Sequence, residues 1–181
     1  MTKMAQMFAA ALVAAMVAGP AVGATESLTP ETLRAFRLSD ASSSREDLVN
    51  RFLEALRKKD AAALEELRVT EAEYRDFFLP ASVKEGAEIQ PPSERASKIY
   101  WSMINTRSLY AADAILRGFG GRTYTLKGVE HDKSPRTYAF YRADRATVLS
   151  LEDEQGTSTE IKTGSIVEVN GQFKFMSFQG E

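Results

Sequence analysis

SREDLVNRFLEALRKKDAAALEELRVTEAEYRDFFL, residues 44–79, is the stretch whose reading decides how this chain folds. Ser44 followed by Asp47 is a helix start: a side-chain oxygen for the first free amides, and a carboxylate near the positive end of the helix dipole. Beyond it Leu48, Val49, Phe52, Leu53 and Leu56 fall on one stripe at the α-helical period, while Arg51, Glu54, Arg57 and Lys58 take the other side. Asp60 caps a second short helix carrying Leu64 and Leu67. Thr70 with Glu73 repeats the capping box ahead of Tyr74, Phe77 and Phe78, and Pro80 stops that helix. Three short amphipathic helices in series cannot bury their stripes on one another alone, so the rest of the chain must supply a second layer.

That layer lies C-terminal. After a loop of about a dozen residues from Ala81 to Pro92, long enough to be a lid or binding segment, Ser93 caps the longest helix, predicted to reach Arg117 and to stop at Gly118. Its apolar residues, Ile99, Trp101, Met103, Ile104, Tyr110, Ala112, Ile115 and Leu116, cover more than half the circumference, which predicts contact on more than one side. From Arg122 the period changes to two. Strands are expected from Tyr124 to Val129, Thr137 to Tyr141, Thr147 to Leu151, Ile161 to Val169 and Phe173 to Phe178. Asn170-Gly171 is the strongest turn signal, since both residues accept the positive φ of a two-residue hairpin; it sets Ile166 opposite Phe175 and Glu168 opposite Phe173. The hairpin is apolar on both faces, with Ile166, Phe173 and Phe175 on one and Val167, Val169, Met176 and Phe178 on the other. One face should meet the helices; the other is a shallow core, a pocket wall or a dimer surface.

Toward the N-terminus, Met1 to Ala24 carries one early charge (Lys3), an apolar run from Met7 to Ala18, a Gly19-Pro20 breaker and small residues up to Ala24. This is the layout of a secretory signal peptide cleaved after Ala24, and its apolar run is too short to span a bilayer. The Ala-rich style points to a bacterial periplasmic or secreted protein, with no membrane attachment after cleavage. Residues 25–43 read as an N-terminal arm, with Thr29 and Pro30 starting a short helix before a polar spacer at Ala41-Ser42-Ser43-Ser44, and residues 44–181 as a single domain. With 23 basic and 25 acidic residues in mixed clusters, the chain has no electrostatic footprint for nucleic acid. The absence of cysteine excludes disulfides, thiol catalysis, thiolate metal sites and a lipidated anchor.

Helices followed by an antiparallel meander make an α+β fold: N-terminal helices packed on a bent sheet of four to five strands. The helix Leu48-Val49-Asn50-Arg51-Phe52-Leu53-Glu54-Ala55-Leu56, with Asp60 and Leu64, and the hairpin Val167-Glu168-Val169-Asn170-Gly171-Gln172-Phe173-Lys174-Phe175 resemble the nuclear transport factor 2-like (cystatin-like) superfamily. The resemblance covers roughly Ser44 to Phe178 and implies a cone-shaped sheet with a pocket between sheet and helices. Its members include isomerases, dehydratases, small-molecule binders and interaction modules, so it implies no one reaction. The long loop before Ser93 departs from the usual plan.

Two residues are candidates for chemistry. Asp113 sits among Tyr110, Ala112, Ile115 and Leu116; burial there would raise its pKa and suit proton abstraction, with Tyr100, Tyr110 or Tyr124 as oxyanion donors, whereas an exposed Asp113 would simply pair with Arg117 at i+4. His131, the one histidine, adjoins Asp132 and could act as general acid or base; alternatively Glu130-His131-Asp132-Lys133-Ser134-Pro135 is a solvated turn. Tyr74, Phe78, Tyr100, Trp101, Tyr110 and Tyr124 are the candidate ligand contacts, with ordinary core as the competing reading. No metal or cofactor is expected: Glu152-Asp153-Glu154 belongs to a hairpin tip, and Gly118-Phe119-Gly120-Gly121 follows a helix, the reverse of a phosphate-cradling loop. The leading expectation is an exported domain that binds a small apolar molecule or another envelope protein without catalysis. The rivals are an isomerase- or dehydratase-type enzyme using Asp113 with a Tyr, or His131, and a structural homodimer formed through the outer sheet face.

Overall fold

Ser44 starts a helix as its spacing requires: in a computed structural model that describes residues 28–179, its Oγ accepts from the Asp47 amide at 3.0 Å. The Asp47 carboxylate in turn accepts from the Ser43 amide at 3.1 Å. The signal peptide expected over residues 1–24 lies outside the described residues. Among the described residues six α-helical segments follow one another: α1 (Pro30–Ala35), α2 (Arg45–Lys58), α3 (Ala61–Glu66), α4 (Glu71–Glu73), α5 (Leu79–Ala81) and α6 (Glu94–Phe119). Four strands, β1 (Tyr124–Thr137), β2 (Arg142–Asp153), β3 (Ser158–Val169) and β4 (Gln172–Ser177), form one antiparallel meander in sequence order. The fold is therefore α+β, with the helices packed on the sheet.

Pro80 does not stop its helix. A π-helical turn at Tyr74–Phe78 joins α4 to α5, the Leu79 amide reaching back to the Tyr74 carbonyl. Proline lacks an amide hydrogen and its ring crowds the carbonyl four residues earlier; the widened turn carries the helix past that conflict. Gly118 likewise lies inside α6, which ends at Gly120, where an added Cβ would come within 2.4 Å of the Leu116 carbonyl oxygen.

A sheet of four to five strands was expected, with five segments read as strands, and four strands are observed among the described residues. The supposed turn at residues 130–135 is part of β1, whose register slips between Lys133 and Arg136 so that Ser134-Pro135 bulge outward. β1 is an edge strand, where a proline removes no ladder hydrogen bond. The expected strand from Thr137 to Tyr141 is the end of β1 and a tight connection, closed by the Tyr138 amide on the Tyr141 carbonyl.

The hairpin at Asn170-Gly171 has the expected register, Ile166 opposite Phe175 and Glu168 opposite Phe173. Neighbouring residues of β3 enter different cores. Ile166 joins Leu48, Val49, Phe52, Leu56, Leu64, Ile115, Leu149, Leu151, Ile161, Phe175 and Phe178 in the first, which is closed by α2, α3 and the C-terminal half of α6. Val167 joins Leu33, Leu38, Val69, Tyr74, Phe77, Phe78, Tyr141, Ala143 and Val169 in the second. The outer sheet face is thus covered by α1 and the π-turn, so the surface on which an outer-face dimer would form is not available. Phe178 belongs to the first core because the register of β4 slips by one residue between Phe175 and Ser177, which reverses the alternation ahead of it. Residues 28–43 are not a free arm: Leu33 and Leu38 are buried, and Ser42 forms an antiparallel bridge with Phe173.

Across the second core runs a buried ion pair that the sequence did not announce. Lys174 Nζ lies 3.1 and 3.3 Å from the two Glu73 carboxylate oxygens, and that carboxylate also accepts from the Thr70 amide (2.7 Å), the Ser39 amide (2.7 Å) and the Ser39 hydroxyl (2.9 Å). One side chain therefore completes a capping box, pins the N-terminal segment and neutralises a buried lysine. Burial alone would push the Glu73 carboxyl up, but the Thr70 amide, the Lys174 charge and the Ser39 amide together hold it below the usual carboxylate range.

Two predictions follow from these cores. Phe52→Ala removes a fully buried ring and is expected to cost about 3–5 kcal/mol in urea unfolding. Lys174→Met leaves the Glu73 charge buried without its cation and is expected to cost about 3–5 kcal/mol at neutral pH. Because the folded-state Glu73 value is depressed, the parent's stability is full above the ordinary glutamate value of about 4.3 and declines as pH falls through and below it. The penalty of Lys174→Met therefore shrinks in acid as Glu73 takes up a proton; a pH-independent penalty in a series of denaturation curves would contradict the assignment.

Candidate functional site

β4 is half as long as β3, and the difference makes the site. Strand β3 pairs with β2 along its length, from Glu152 opposite Ser158 to Arg142 opposite Glu168, but with β4 only from Ser165 onward. After Ser177 the chain turns away, the Phe178 amide donating to the buried Ser108 hydroxyl of α6 at 2.7 Å. Beside residues 158–163 this leaves a trough of about 720 Å³ between the edge of β3 and the C-terminal half of α6. Its apolar lining comes from Tyr110, Ala111, Ala114, Ile115, Phe119, Ile161 and Phe178, with Arg107, Glu160 and Lys162 adding charge. The trough is open along one side. It continues into an exposed apolar row on α6, where Ile99, Met103 and Tyr110 are 50%, 52% and 74% accessible. The wide apolar face read from α6 thus covers both cores with one part of its circumference and meets solvent with another.

The expected site residues do not converge. Asp113 is not buried: its side chain is 59% exposed and forms an ion pair with Arg117 at 2.9 Å, because position 113 falls on the solvent side of the helix that buries Ala111 and Ile115. His131 is in mid-strand rather than in a turn, opposite Thr147, and its Nδ1 lies 3.1 Å from the Thr147 hydroxyl. Tyr74, Phe78 and Trp101 pack together in the second core, the Tyr74 and Trp101 rings 5.7 Å apart. Tyr124 is buried at the start of β1, with its hydroxyl facing no protein partner, and Tyr100 is half exposed on α6. Of the six aromatics, Tyr110 lines the trough. The long loop is tied over the second core, through Val83 to the Ala139 amide and Ser82 to the Tyr141 hydroxyl, and lines no part of the trough.

A second polar group, also missed, lies on β2. The Asp144 carboxylate, 3% exposed, is held by Arg45 at the first turn of α2 and by Arg142, whose Nε and Nη2 are 3.1 and 3.0 Å from Oδ1. Next to it Thr147 is fully buried, its carbonyl accepting from the Thr163 hydroxyl at 3.3 Å. Both Asp144 oxygens are engaged by guanidinium groups, so the cluster bolts the start of α2 to the sheet and leaves no free base for proton transfer. Pairing partners of this kind, ninety-nine residues apart, are not legible from spacing.

Among the described residues no three His, Asp or Glu side chains are grouped to hold a metal ion, and no helix is long and apolar enough to cross a membrane. Compared with known proteins, the chain matches no family model, no curated protein and no solved structure.

Proposed function

We propose that this chain is a binding module that works outside the cytoplasm, in the periplasm or medium of a bacterium, and that the trough between α6 and β3 seats an apolar segment of another polypeptide. The observation that carries this reading is an apolar floor bounded on one side by a strand edge with which no described strand pairs. Sites for small molecules are concave enough to enclose most of their ligand, whereas an open trough beside a strand edge suits an added chain that satisfies the edge amides and carbonyls while alternate side chains enter the floor. An exposed Asp113 and a His131 bonded to a threonine give the isomerase or dehydratase reading no buried base to work with. The order of helices, then a bulged sheet, fits the nuclear transport factor 2-like resemblance, a superfamily that includes interaction modules. The signal-peptide-like pattern of Met1–Ala24 supports the extracytoplasmic address.

Ala114 is exposed and lines the trough, so filling the space from this position leaves both cores intact. With protein below micromolar concentration, an anilinonaphthalene sulfonate dye should brighten on the parent chain. Ala114→Trp is expected to reduce that signal several-fold while the thermal midpoint stays unchanged. Equal dye fluorescence from the two proteins would overturn the trough as the binding site.

A further inference from the structure

We infer that the polypeptide seated on β3 is a second copy of this chain, paired antiparallel through residues 159–163 about a twofold axis at Ile161. The inference rests on the trough being a seat for polypeptide and names its occupant.

Of the sheet's outer edges, two are blunted. β1 carries a bulge after Leu126 and another at Ser134-Pro135, which interrupt a regular ladder. β4 is covered by the antiparallel bridge of Ser42 to Phe173 and the parallel bridge of Arg68 to Phe175. The stretch from Ser158 to Lys162 is different. It keeps unbroken register with β2, from Glu152 opposite Ser158 to Val148 opposite Lys162, and so presents a straight edge on its far side where no described strand pairs with it. Every second residue there points its amide and carbonyl away from β2.

The sequence of this edge is self-complementary. With Ile161 facing its own symmetry mate, Glu160 falls opposite the mate's Lys162, Lys162 opposite the mate's Glu160, and Thr159 opposite the mate's Thr163. Directly opposed residues of an antiparallel pair share a face and their charges interact. Glu160 and Lys162 are both exposed and form no ion pair within the described residues, so both are available across the axis. A twofold axis perpendicular to the sheet also brings the two α6 helices to the same side, where each exposed row of Ile99, Met103 and Tyr110 meets its counterpart. A twofold contact closes on itself, which explains how an open edge exists without leading to a fibre.

Sedimentation velocity of the purified chain from submicromolar to high micromolar concentration tests this against the monomer mass, which is 20.0 kDa for the full 181 residues and correspondingly less for a chain cleaved after Ala24. A concentration-dependent species of twice that mass is expected. Lys162→Glu, which sets like charges opposite each other at both ends of the pair, should shift the midpoint of association upward at least tenfold. The double exchange Glu160→Lys with Lys162→Glu should restore it, and circular dichroism should show all three proteins equally folded. A chain that stays monomeric throughout, a dimer indifferent to Lys162→Glu, or one not restored by the double exchange would each overturn the inference. If the dimer fails while the dye still distinguishes Ala114→Trp from the parent, the trough remains a binding site and the second copy alone is excluded as its occupant; if both fail, the trough reading falls with it.

Discussion

The structure turns on one place where two adjacent strands each hold an extra residue. Asp144 is opposite Ile166 and Thr147 is opposite Gly164, so β2 has gained a residue; Val148 is then opposite Lys162, so β3 has gained one as well. The backbone accommodates this with positive φ at Ala146 (51°) and Gly164 (93°). A bulge reverses the alternation of side chains in the strand that carries it. Ala143 and Leu149 would share a face in a regular strand, yet they lie in different cores, and so do Val167 and Ile161. A meander of four strands thereby acquires two apolar faces, each facing outward to a different set of helices.

The division of helices follows from that reversal. One face receives α2 and α3, whose stripes of Leu48, Val49, Phe52, Leu56 and Leu64 are fully buried. The other face receives the N-terminal segment and the π-turn, and here the closing contacts are partly polar: Glu73 binds Ser39 and Lys174 at once, tying the N-terminal segment and α4 to β4. Helix α6 serves both, with Trp101 and Ile104 against the second core and Ala111 and Ile115 in the first. Its length past the end of β4 is what forms the trough, since Phe178 crosses to Ser108 and leaves the first half of β3 with no described strand on the side away from β2. The candidate site thus lies where the sheet is left incomplete.

Much of the architecture was legible in the sequence because it is local. The caps at Ser44, Asp60, Thr70 and Ser93 are set by side chains three residues from the amides they satisfy. The Asn170-Gly171 turn fixed the register of the last hairpin because its conformation depends on those two residues. Alternation failed where bulges intervened: it split β1 at Ser134-Pro135, turned His131 into a loop residue and put Phe178 on the wrong face. Apolar neighbours misled at Asp113, since Ile115 lies on the opposite side of the helix and Tyr110, one turn earlier on the side of Asp113, is itself exposed. The ion pairs of Glu73 with Lys174 and of Asp144 with Arg45 join distant segments, and the open edge depends on which strand lacks a partner; neither is written in any local pattern.

The reversal is tested most directly at Gly164. An added Cβ there would lie 2.2 Å from the Ser177 carbonyl oxygen, whereas at Gly156, which has a similar positive φ of 79°, it would meet nothing within 4 Å. Both Gly→Ala substitutions carry the left-handed backbone penalty of about 1–2 kcal/mol, so the difference between them isolates the packing of the bulge. Urea unfolding should show Gly156→Ala losing about that amount and Gly164→Ala losing at least twice as much. Equal losses for the two variants would mean that β3 does not reverse its faces at Gly164, and the two-core account would be wrong.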